Sequence, residues 1–237
     1  MNATWSDAKL SRSAAVAAVL LLLANFFYFS FLSPPLGPPE PSAQQIATWT
    51  HTHQPLLLFQ FVPAYAALIY AVLMGLMIRL TKGTGILANL AWLTMGANFA
   101  IALVTFGLYF GLWSYLQRGA SDDGVVLLRS IASLFTHGQL IPLGAALVCI
   151  GLLGLRSRAW PLWLSWLLLV VGVEHLLSPI LFAAAPSFST TRVQLTLGGF
   201  ARIADIVSEY VWPLILALVL AIRANRPPSS APQHRQA

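Results

Sequence analysis

Glu174 and His175 stand side by side in a stretch that is otherwise apolar, and Arg202, Asp205 and Glu209 open the next apolar stretch. The chain has seven carboxylates in 237 residues, so three of them inside hydrophobic segments is a concentration that needs a reason. An ionisable side chain in hydrocarbon costs about 2.5–3.5 kcal/mol on insertion scales. Asp205 and Glu209 are four residues apart and share a helix face, with Arg202 three residues before Asp205 beside it. Two carboxylates on one face repel, which favours keeping a proton on one of them near neutral pH. A histidine beside a carboxylate is an exchange partner for that proton. The chemistry these residues point to is proton carriage or acid–base work, with Glu174, Glu209, Asp205, His175 and His137 as the candidate groups.

Uncharged polar residues punctuate the other apolar stretches: Asn25, Gln60, Asn98 and Gln139. With Arg202 they are the candidate ligand-binding set. At 1.5 Å per residue, Glu174 lies about 20 Å from Trp160, while Asp205 and Glu209 lie about 5–15 Å from the start of the last stretch. His137 and Gln139 are expected at a similar depth. Three readings stay open. The cluster can be interhelical glue, with Arg202 pairing Asp205 and a histidine bonding Glu174 or Glu209. It can be a ligand or proton site. It can also be the acid–base centre of an intramembrane enzyme acting on a lipophilic substrate.

No metal or other cofactor is expected. His51, His53, His137 and His175 carry no HExxH or similar spacing. A single cysteine, Cys149, excludes an intrachain disulfide and a cysteine-based metal site.

The elements that must position these groups follow from composition. The chain is 58% hydrophobic and 8% charged, with mean hydropathy +0.76, against roughly 25% charged in soluble domains. It reads as a polytopic membrane protein whose surroundings are the lipid bilayer. The net charge of +6 comes from single or paired basic residues at segment ends, which fits membrane orientation and not nucleic acid.

Six spans are predicted, at about 13–32, 56–78, 87–115, 131–155, 160–184 and 200–222. Residues 1–12 form a polar start and 223–237 a polar tail, expected to be disordered. The first apolar run is long for a signal peptide and lacks a small-x-small cleavage site, so it is read as an uncleaved span. The loop 33–55 opens with a proline-rich, extended piece. It then carries Ser42 and Gln45 at capping-box spacing, which predicts a short helix on the membrane surface with Trp49 at headgroup depth. The third span is long enough to tilt or project outward, and its Gly107 and Gly111 permit close helix contact. Residues 117–124 are expected to be a loop. Trp160, Trp163 and Trp166 are expected at interfacial depth.

Lys9, Arg12, Arg79, Lys82, Arg156, Arg158, Arg223, Arg226 and Arg235 fall on one side of such a bundle, and Arg118, Arg129, Arg192 and Arg202 on the other. That bias places both termini in the cytoplasm and the molecule in the inner (plasma) membrane.

Three spans carry a polar residue followed about one turn later by proline: Gln60 and Pro63, Gln139 and Pro142, Glu209 and Pro213. Each proline frees a carbonyl one turn earlier, which in lipid must face protein or water. Three such sites in the outer half predict a polar cavity opening outward.

From Gly151 the sequence runs through Gly154, Arg156, Arg158, Trp160, Pro161, Trp163 and Trp166 to Gly172 and Val173. This basic turn, proline, Trp-Leu-x-Trp and Gly-Val helix resembles an uncharacterised family of bacterial integral membrane proteins, common in actinobacteria. The resemblance covers most of the chain loosely. It implies a six-helix membrane bundle and no activity, and Glu174-His175 falls outside the family pattern. The expectation is therefore an all-α, six-span bundle, N-in and C-in. Its polar cavity would bind or move a small or lipophilic ligand, with proton coupling through Glu174 and Glu209.

Overall fold

The computed structural model describes residues 6–27, 43–184 and 211–225. Every regular element among them is helical: α1 (Asp7–Phe27), α2 (Ala43–Thr52), a 3-10 helix (Gln54–Gln60), α3 (Phe61–Leu80), α4 (Ile86–Leu116), α5 (Asp122–Gly138), α6 (Leu140–Ser157), α7 (Leu162–Ala184) and α8 (Trp212–Ala224). Five apolar helical stretches are long enough to cross a membrane: α1, the 3-10 helix with α3, α4, α5 with α6, and α7 up to Pro179. α8 is apolar and 13 residues long. The first part of the sixth predicted span, with Arg202, Asp205 and Glu209, lies outside the described residues.

Where helices start differs from the sequence expectation for local reasons. α1 begins at Asp7, inside the expected polar start, because the Ser6 hydroxyl accepts the Lys9 N–H at 3.3 Å and Asp7 sits in the positively polarised first turn. α5 begins at Asp122, nine residues before the expected span, in what reads from sequence as a loop. Ser121 caps it by accepting the Gly124 N–H at 3.3 Å, and Asp122 and Asp123 occupy its first turn. α5 and α6 together run 36 residues, about 54 Å, and the 31 residues of α4 reach about 46 Å. A hydrocarbon core is about 30 Å thick, so both rods extend well beyond one.

Two of the three expected proline sites fall at helix breaks; the turn before the third, Pro213, lies outside the described residues. Pro63 is the third residue of α3, directly after the 3-10 helix, and Pro142 is the third residue of α6, just past the break at Gln139. Pro213 is the second residue of α8. Proline is tolerated in a first turn, where its missing N–H has no helical partner to lose.

Two main cores result. The larger joins α1, α3, the first half of α4, α6, α7 and α8, with Leu21, Leu73, Met95, Leu147, Leu164 and Trp212 fully buried. The second gathers Leu57, Tyr109, Leu112, Leu116, Val125 and Ala132 from the 3-10 helix, the last turns of α4, and α5. Large apolar side chains cover the outside of the first, among them Leu93 at 70% and Val170 at 65% exposure. A water-soluble monomer rarely shows such a surface, and lipid requires it.

Close helix contact is made by glycines other than the expected pair. A Cβ at Gly107 or Gly111 would meet nothing within 4 Å. The tight crossing is α6 on α7: a Cβ on Gly144 would lie 2.5 Å from the Gly172 carbonyl oxygen, and one on Gly172 would lie 2.8 Å from that of Gly144. Trp160 is buried and donates to the Ser165 hydroxyl at 2.9 Å, whereas Trp163 and Trp166 are exposed. Asp7 meets Arg223 at 3.7 Å, so the start of α1 and the end of α8 lie on the same side of the bundle.

Candidate functional site

Gly144 and Gly172 decide where His175 sits. With no side chains between them, α6 and α7 approach until the Cβ of His175 comes against Gly144. The imidazole, one turn beyond Gly172, is then held in the bundle with 2% of its side chain exposed. Its Nδ1 lies 2.6 Å from Oε2 of Glu174. An ionised carboxylate only accepts, so Nδ1 carries the hydrogen and donates it. In the neutral ring Nε2 is then an acceptor; that nitrogen is buried and meets no hydrogen-bond partner among the described residues. Leaving such a group unmet costs about 1–3 kcal/mol.

Pro179 adds a third acceptor. It lies inside α7, four residues after His175, and lacks the N–H that would bond the His175 carbonyl. The proline pattern read from the sequence does not include it, because it was drawn on the second, fourth and sixth spans. One turn of α7 thus presents three acceptors, the Glu174 carboxylate, Nε2 of His175 and the His175 carbonyl, with the buried Ser178 hydroxyl, able to donate or accept, in the same turn. Glu174 stands at the edge of the bundle, its side chain 26% exposed, beside Val170, Val173 and Leu177, which face outward. It is 12 residues into α7, about 18 Å from Leu162.

The other candidates distribute around this turn. Gly144 is the α6 residue against His175; Gln139 and His137 lie five and seven residues before it, about 7.5 and 10 Å along the rod. The expected common depth with Glu174 is therefore not what α6 provides. His137 donates from Nδ1 to its own helix at the Ser133 carbonyl, 2.8 Å away. Gln139 sits at the break between α5 and α6, and its Oε1 is buried without a partner. Asn98 is fully buried on the inner stripe of α4, and neither Oδ1 nor Nδ2 has a partner. Asn25 is buried on α1, and Gln60 closes the 3-10 helix. Arg202, Asp205 and Glu209 lie outside the described residues. Among the described residues no group of three or more His, Cys, Asp or Glu side chains is placed to hold a metal ion.

A second polar constellation, where α2 meets the start of α5, has no counterpart in the sequence expectation. Arg129 of α5 lies over the Trp49 ring, 4.3 Å from its centroid, and donates to the Thr50 hydroxyl at 2.9 Å. Trp49 stacks on His53 with centroids 4.6 Å apart. His51 meets Asp122 at 3.2 Å. The partners are up to 79 residues apart, so no local spacing announces them.

No family model matches the chain, and no curated protein or solved structure matches it.

Proposed function

We propose that this is a six-span protein of the inner membrane with both termini cytoplasmic, and that Glu174 and His175 form a proton-titrating site in its outer half. The site binds or moves a small or lipophilic ligand. The single observation that carries the reading is the 2.6 Å pair with one acceptor nitrogen left open in the interior. The carboxylate fixes the ring tautomer and balances the positive charge when Nε2 takes a proton. Nε2 then gives that proton up to a ligand or to water.

Support for the topology comes from the basic residues at one set of ends and from the Asp7–Arg223 contact, which is what an even number of crossings requires. Helix breaks at Gln60 and Gln139 support an opening on the outer side. In this reading Glu209 is a second titrating group, with Asp205 held by Arg202.

The test is proton entry into sealed vesicles. Wild-type protein is reconstituted with a trapped pH-sensitive dye, and an inside-negative potential is imposed. Acidification is expected to exceed that of empty vesicles and to fall at least tenfold in Glu174→Gln and in Glu209→Gln. Wild-type rates equal to empty vesicles, or unchanged rates in both variants, reject the reading.

A further inference from the structure

We infer that the ligand of this site is a lipophilic protonated amine that reaches Glu174 sideways from the bilayer. The inference rests on the Glu174–His175 reading and adds the substrate class.

Three features carry it. The first is the imbalance of hydrogen-bonding groups. Glu174 offers a carboxylate, His175 offers Nε2 without a partner, and Pro179 leaves the His175 carbonyl without its helical donor. The donors in this turn are Nδ1–H, already spent on Glu174, and the buried Ser178 hydroxyl, a single O–H against three acceptors. A ligand that satisfies such a turn brings several N–H or O–H donors. An anionic head group would add acceptors where acceptors are in excess and would face a carboxylate.

The second feature is charge. An ionised Glu174 is expensive at membrane depth unless it meets a positive partner. Among the described residues no lysine or arginine lies on α7, and the imidazole is neutral when Nε2 is the acceptor. A monovalent ammonium supplies the charge and the donors in one group.

The third feature is access. Glu174 is 26% exposed at the bundle edge, and Val170, Val173 and Leu177 lie beside it with 65%, 46% and 48% of their surface open. An apolar tail can lie along these three residues while the head group turns in toward His175. A water-filled path is not needed for a molecule that already partitions into lipid.

The experiment uses three probes of similar size: phenethylammonium, its trimethylammonium analogue and 3-phenylpropionate. Saturable binding to the protein in lipid nanodiscs is measured by equilibrium dialysis, with empty nanodiscs subtracted. Phenethylammonium is expected to bind at least tenfold more tightly than the trimethyl analogue, which has the charge without the donors, and 3-phenylpropionate is expected not to saturate. Glu174→Gln is expected to weaken phenethylammonium at least tenfold. Pro179→Ala returns an N–H to the His175 carbonyl and is compatible with the helix; it is expected to weaken phenethylammonium about threefold and leave the trimethyl analogue unchanged.

Equal binding of the two cations, saturable binding of the anion, or no saturable binding at all overturns the inference. These comparisons use the wild-type protein, so misfolding of a variant does not rescue it. Proton entry that depends on Glu174, with no preference for phenethylammonium, sinks the amine and leaves the proton site standing. Loss of both sinks the two together.

Discussion

The contact of α2 with α5 around Arg129 and the buried turn around His175 are both polar, and they differ in how far their polar groups are met. Around Arg129 most donors have found acceptors: the guanidinium has Thr50 and the face of Trp49, Thr50 has the Ile46 carbonyl at 2.7 Å, and His53 has the Trp49 carbonyl at 2.9 Å, while the Trp49 indole N–H is buried without one. Around His175 the acceptors outnumber the donors, and a ring nitrogen is left open. A closed network returns its cost as stability. An open one keeps the cost until something binds. What differs is the balance: around Arg129 the charge is met and one indole N–H is left over, whereas around His175 acceptors are left over beside a carboxylate.

The largest effect that can break this comparison comes from the contact that positions the open site. Gly144→Val places branched carbon where only 2.5 Å separates a Cβ from the Gly172 carbonyl oxygen. α6 and α7 must part, and the loss is expected to be about 3 kcal/mol or more, read as thermal unfolding in detergent. Gly111→Val, on the exposed side of α4, is the matched control and is expected to change nothing. Equal effects at the two positions would mean that the α6–α7 crossing is not what holds His175.

Next is the closed region itself. Arg129→Ala removes the cation over Trp49 and a donor to Thr50, and is expected to cost about 1–2 kcal/mol. Proton entry into vesicles should be unaffected once the variant is folded. A fall in proton entry with unchanged stability would merge the two regions into one site.

Asn98 sharpens the comparison from the opposite direction. It is fully buried and both its polar atoms lack partners, so it resembles the open region in its unmet bonds but carries no charge. Asn98→Leu is nearly isosteric and removes an unmet donor and acceptor. It is expected to stabilise the protein by about 1–2 kcal/mol. Destabilisation by a similar amount would assign Asn98 a bound partner and join it to the ligand site.

How much of this is legible in the sequence depends on the distance over which each signal acts. Helix content and spans follow from unbroken apolar runs, and the breaks before Pro63 and Pro142 follow from a missing N–H, so both are local properties. The start of α5 is also local; Ser121 with Asp122 and Asp123 is a capping signal outweighed in the reading by the polarity of the segment. Glu174 and His175 stand out because charge in hydrocarbon is costly wherever it occurs. What sits opposite them is another matter. Gly144 and Gly172 are 28 residues apart in sequence and look no more significant than Gly107 and Gly111, which face outward. Small size permits a close approach, but only the packing of the neighbouring helices determines which glycines use it. Arg129 and Trp49 meet for the same tertiary reason.

The smallest expected effect is at His51 and Asp122. Their side chains are 44% and 72% exposed, and the pair is 3.2 Å apart between α2 and the start of α5. Water and salt screen such a pair, and exposed ion pairs contribute roughly 0–1 kcal/mol. A double-mutant cycle of His51→Ala and Asp122→Ala, read by thermal unfolding, is expected to give a coupling below about 0.5 kcal/mol. Asp122 should cost more alone than His51, because it also sits in the first turn of α5, where a negative charge meets the helix dipole. That asymmetry tests the account of the closed region in detail. If the coupling exceeds about 1.5 kcal/mol, α2 is held to α5 chiefly by its exposed ion pair, and the half-buried Arg129 loses its place as the group that closes the layer.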